Sequence, residues 1–142
     1  MDQKLQDELF EKYPKLFVNK NKNKWESCMC YGIECGDGWL EIISSLCWRI
    51  EQHEKSVKAR LKYEGKDEAE YISVTFDQVK EKFGGLRAYY SGGDDYIEGV
   101  IALAEDFSYK TCEVCGKKGS PNKQGWISTL CEEHRNEPNA KE

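Results

Sequence analysis

Apolar positions change period along this chain, and each change predicts an element. Leu5, Leu9, Phe10, Tyr13 and Leu16 recur at helical spacing and predict an amphipathic helix interrupted near Pro14. Trp39, Ile42, Ile43, Leu46, Ile50, His53 and Val57 fall on one face of a longer helix. Asp37 stands where a helix cap belongs, and Tyr63-Glu64-Gly65 marks the end. The period then drops to two. Ile72, Val74 and Phe76 alternate with polar neighbours as a half-buried strand does, and a parity shift to Val79 and Phe83 predicts a bulge near Asp77-Gln78. Gly84-Gly85 predicts a two-residue hairpin turn, because glycine accepts the positive φ of primed turns. Helical spacing returns at Ile97, Val100, Ile101, Ala104 and Phe107, with Asp94 or Asp95 as the cap.

The fold class expected is α+β. A small antiparallel sheet with a Gly-Gly hairpin is covered by the Trp39 and Ile97 helices over residues 1–110. A metal module follows over residues 111–136, and residues 137–142 read as a frayed tail. Asn19 to Lys24 reads as a solvated connector, and the four tryptophans are expected to fill cores.

Composition narrows the class of protein. The chain has 142 residues, 39% hydrophobic and 33% charged, which suits one globular domain with a small appended module. A net charge of −5 argues against a general phosphate-backbone binder. No run reaches the roughly 20 apolar residues that span a bilayer. The polar opening MDQKLQDELF is unlike a signal peptide, so a reducing cytoplasm is expected.

The seven cysteines then read as thiols or metal ligands. Cys112 and Cys115 form one pair at a two-residue spacing, and Cys131 and His134 form another after fifteen intervening residues. Each spacing lets a tight turn aim both donors at one ion, and Gly116 supplies backbone freedom after the first. Three thiolates and one imidazole make a closed tetrahedral shell suited to a structural Zn2+, in a treble-clef or zinc-ribbon-like layout. Buried thiols or a disulfide are the plainer alternative. Nucleic-acid binding, protein binding and stapling of the chain end are all open to such a module, and stapling is favoured because so short a segment has little core of its own. Cys28, Cys30, Cys35 and Cys47 lack paired spacing and read as packing thiols.

A two-residue turn at Gly84-Gly85 sets Lys82 opposite Arg87 and gathers Lys80, Lys82, Arg87 and Tyr89 on one strand face. Such a face can take an anion, with Asp37 and Trp39 placed nearby, or can pair internally with Asp37, Asp94 or Asp95. No catalytic motif is present. Cys35 with His53 is the one conceivable nucleophile and base, and His53 reads instead as a core residue.

The run from Gly36-Asp37-Gly38-Trp39 through VKEKFGGLR and YYSGG to CEVCG, GWISTLC and EEH resembles a family of small phage- and prophage-encoded proteins of unassigned function. The resemblance spans Cys35 to His134, with Ala88 where such proteins carry a bulkier residue. It implies an accessory protein acting in the host bacterial cytosol. The expected function is to counter host defence by non-enzymatic binding, sequestering an anionic, nucleotide-like signal on the hairpin face. The alternatives are an acidic nucleic-acid mimic that inhibits a host or phage nucleoprotein, and a nucleic-acid binder acting through the zinc module.

Overall fold

In the computed structural model, which describes residues 1–136, side-chain caps start two of the four α-helices. The Asp2 carboxylate accepts the Lys4 N–H and starts α1 (Gln3–Lys12), which stops short of Pro14. A 3-10 turn over Asp37–Trp39 leads into α2 (Leu40–Tyr63), and Gly65 at φ 73° ends it. Asp37 does not cap α2: its carboxylate accepts the Asp2 N–H at 2.6 Å instead. Asp94 caps α3 (Asp95–Ser108) through the Ile97 N–H, one of the two caps anticipated. The last helix, α4 (Glu132–Arg135), is a single turn. The predicted frayed tail lies outside the described residues.

The class is α+β, with four α-helices among the described residues and a small sheet that is mixed rather than antiparallel. β1 (Ile33–Glu34) runs parallel to β2 (Thr75–Lys82), which pairs antiparallel with β3 (Gly85–Ser91). The two-residue β1 carries no alternation to read, so pattern alone missed it. β4 (Ser120–Pro121) and β5 (Thr129–Leu130) form a separate antiparallel pair. Val79, Leu86 and Ala88 face a core shared with Ile43 and Ile50 of α2 and Ile97 of α3. The outer edge of β3 is covered, because Ser108 and Glu105 of α3 accept the Leu86 and Ala88 N–H groups.

The expected bulge falls at Asp77, between Phe76 and Gln78. Asn19, from the segment read as a solvated connector, is buried there and donates to Phe76 O and the Asp77 carboxylate. The strand starts later than its pattern, at Thr75, and leaves Ile72 exposed. Trp39 fills the core, but Trp25, Trp48 and Trp126 are exposed, as is Phe107 on the outer flank of α3.

The hairpin turn is Phe83-Gly84, not Gly84-Gly85. Lys82 therefore pairs with Gly85, and Lys80 with Arg87. Phe83, expected in the core, sits in the turn with its ring exposed. The pairing shifts by two positions, so parity survives: Lys80, Lys82, Arg87 and Tyr89 still share a face. Glu81, the polar misfit on the inner face, accepts the Gly84 N–H at 2.7 Å and tightens the turn.

Phe83 holds φ 52°, a left-handed conformation that non-glycine residues adopt at a cost of about 1–2 kcal/mol. Asparagine tolerates that region and is favoured in primed turns. Phe83→Asn is expected to stabilise the protein by about 1 kcal/mol, raising Tm by about 3 °C in a thermal melt.

Candidate metal centre

Two tight turns bring four donors together. The Gly116 N–H closes the first onto Cys112 O at 2.9 Å, and Gly116 takes φ 76°, as the spacing anticipated. Cys131 precedes α4, whose single turn returns His134 to the same point. One ligand atom each from Cys112, Cys115, Cys131 and His134 lies within 4.8 Å of all the others. Cys115 and Cys131 sulfurs are 3.8 Å apart, and Cys112 Sγ lies 3.6 Å from His134 Nδ1. A tetrahedral ion with metal–sulfur bonds of about 2.3 Å and a metal–nitrogen bond of about 2.0 Å has edges of about 3.8 and 3.5 Å. The four residues can therefore hold one metal ion.

The electrostatics favour the thiolate at Cys112 and Cys131 and oppose it at Cys115, where the Lys117 backbone N–H lowers the thiol but burial and the Cys112 and Cys131 side chains raise it further. Burial pushes the Cys112 thiol up, but backbone N–H groups of Cys131, Cys115 and Val114 outweigh burial and bring it down to about 6. The His134 backbone N–H likewise holds Cys131 below the usual thiol range, and Cys131 in turn raises His134. Lys117 and Glu133 pair at 2.9 Å on the exposed side, and Arg135 ties α4 back to Ser120 O.

The module is joined to the main fold by backbone contact. Gly38 N–H donates to Glu113 O at 2.8 Å, and Gly36 N–H to the Glu113 carboxylate at 2.9 Å. A Cβ on Gly38 would sit 2.1 Å from Cys112 O, so this position admits only glycine. Trp39, fully buried, donates its indole N–H to Thr111 O at 2.8 Å. At the hairpin, buried Thr129 donates its hydroxyl to Gly84 O at 2.6 Å, and the Tyr109 ring lies where a Gly85 side chain would be.

The residues expected to bind an anion divide. Trp39 belongs to the core and Asp37 to the Asp2 contact. Arg87 donates to Leu86 O and to the Tyr109 hydroxyl, each within 2.8 Å, and the Tyr109 bond keeps its guanidinium firmly charged. Lys80, Lys82 and Tyr89 remain on the outer face, joined by Glu34, which sits beside Lys80 and accepts from Gln78. Tyr109, Thr129 and Glu113 were not singled out from sequence. The signal for them is indirect: glycines at 38 and 85 mark where another chain segment approaches.

The remaining chemistry is dispersed. His53 Nε2 lies 2.8 Å from Asp94 and its ring stacks on Tyr96 at 4.1 Å, so its partner is the α3 cap rather than Cys35. Burial pushes the Cys35 thiol up to about 12. Cys47 is also buried, whereas Cys28 is exposed. Among the described residues no second group of metal donors forms, and no helix is long and apolar enough to cross a membrane. Comparison with family models, curated proteins and solved structures returns no match.

Elemental analysis of purified protein should find one metal ion per chain, and chelation should lower Tm by at least 10 °C, because a module of this size depends on its ion. The ligand form of Cys112 is deprotonated. Its contribution is complete above the ordinary thiol value of 9.0 and is lost as the pH falls through about 6, so dye-monitored metal release should increase as the pH is lowered and be greatest below about pH 6. Gly38→Ala should cost about 2–3 kcal/mol, read by chemical denaturation, since backbone must move to admit the methyl group.

Proposed function

We propose that the protein is a non-enzymatic binding protein, clasped by a structural zinc ion, that offers the outer face of its hairpin to an anionic ligand. Three sulfurs and one nitrogen are the donor set of closed structural zinc sites. A knuckle, a short hairpin and a helix carrying the last ligand follow the treble-clef order. The ion's part is architectural: Tyr109, just before the module, and Thr129, within it, fix the hairpin tip.

One observation carries the ligand reading. Among the described residues no carboxylate pairs with Lys80, Lys82 or Arg87. Of the internal partners considered for them, Asp94 is instead engaged by His53 and the Ile97 N–H, and Asp37 by the Asp2 N–H. Two lysines on a rigid strand can each add a charge-assisted hydrogen bond to phosphate or carboxylate, and Tyr89 adds a ring beside them. The resemblance to small phage proteins supplies the setting: sequestration of an anionic, nucleotide-like signal of host defence in the bacterial cytosol.

Protein purified from phage-infected bacteria and then denatured is expected to release an anionic small molecule detectable by mass spectrometry. Two charge-assisted contacts contribute about 1.5–3 kcal/mol each, so Lys80→Glu with Lys82→Glu should weaken binding of the released compound by at least 100-fold at unchanged Tm. Wild-type protein that carries no anion and co-purifies with a host polypeptide would overturn this reading.

A further inference from the structure

α2 and α3 pack side by side and leave an apolar groove of about 370 Å³ between them, lined by no residue of the metal centre or the hairpin. Ile42 and Leu46 from α2 and Val100, Leu103 and Phe107 from α3 line it. Leu103 and Phe107, one turn apart, are 57% and 53% exposed, although leucine and phenylalanine are residues that burial favours. Three further α2 residues lie along the groove: Glu41, Ser45 and Arg49. They follow at intervals of four, so they form one row on the helix, about 12 Å from end to end.

The order of that row is informative. It places a negative charge, a small central residue and a positive charge in line. Among the described residues Glu41 forms no ion pair, and Arg49 stacks on Trp48 at 4.7 Å without a carboxylate partner. Reversed and laid against itself, the row is complementary: Glu41 meets Arg49, Ser45 meets Ser45, and Arg49 meets Glu41. A two-fold interface demands this self-complementarity, since each contact must occur twice with the partners exchanged. A small residue at the centre lets the two helices approach closely at the axis.

We propose that this face binds a second copy of the chain, with the α2 helices antiparallel about a two-fold axis through Ser45. Each α3 then flanks the other copy's α2, and Leu103 and Phe107 become covered. The dimer joins two hairpin faces in one assembly without using any residue of the metal centre or of the proposed ligand face.

Charge reversal tests it by sedimentation velocity of the metal-loaded full chain from 1 to 200 µM. Wild-type protein should show a concentration-dependent monomer–dimer equilibrium. Glu41→Arg alone and Arg49→Glu alone should each raise the dimer dissociation constant at least tenfold, since each sets like charges together at both ends. The double variant Glu41→Arg/Arg49→Glu should restore the homodimer. An equimolar mixture of the two single variants should form a heterodimer, because every contact between them is again of opposite sign. All these positions are exposed, and unchanged thermal melts confirm that folding is intact. A wild-type monomer at 200 µM overturns the proposal. So does a dimer indifferent to both reversals, failure of the double variant and the mixture to recover, or a face occupied by a different polypeptide.

Discussion

The fold depends on one close approach: the metal knuckle lies backbone against backbone on the loop that opens α2. With Cys112 O only 2.1 Å from where a Gly38 Cβ would stand, no side chain fits between them. The approach brings the Gly38 N–H to Glu113 O and the Trp39 indole to Thr111 O, joining segments more than 70 residues apart in the chain. Long closures of this kind carry an entropic cost that local contacts do not repay. An ion held by Cys112, Cys115, Cys131 and His134 would provide the compensation. It would join two turns into one rigid body that presents its hydrogen-bonding groups to the main fold already ordered.

From this contact the hairpin follows. A primed turn could have been centred on Gly84-Gly85, yet Gly85 is in the strand because the Tyr109 ring occupies the space above it. Phe83 accepts a positive φ as the consequence. The same ring settles the pairing of like charges. Lys80 and Arg87 are directly opposite, an unfavourable arrangement taken alone. Arg87 is drawn aside by the Tyr109 hydroxyl and Leu86 O, toward the module, while Lys80 stays on the open face beside Glu34. The basic face is thus the residue of a packing solution: Arg87 is turned toward the module, and among the described residues neither lysine forms an ion pair, although Glu34 stands beside Lys80.

Much of this was legible in the sequence, and what was not has a physical reason. The long helices α2 and α3 declared themselves because burial on one face imposes a period that survives in the residue types. The metal ligands were legible because their chemistry restricts both identity and spacing. The strand bulge showed as a change of parity. By contrast, β1 is two residues long and has no period to show. The turn moved by one residue because a tyrosine 24 positions away needed the space of Gly85. Asn19 looked like part of a polar connector, and only the fold brings it to the open carbonyl of Phe76. Trp39 carried both a core role and a polar contact, and sequence alone could not show that its indole N–H would meet Thr111.

The clasp also ranks the surfaces it supports. Trp39 fixes the start of α2, and Glu41, Ser45 and Arg49 follow within the next three turns. That part of α2 has a second anchorage, since Ile43, Leu46 and Ile50 are buried in the core on its inner side. The hairpin is anchored on α3 through the Leu86 and Ala88 N–H groups, and its tip adds contacts to Thr129, Tyr109 and Ile127, all within or adjoining the metal module. An ion at these four residues would therefore steady the hairpin more directly than the α2 face. Any coupling between that ion and a ligand held on the hairpin would act equally in both directions.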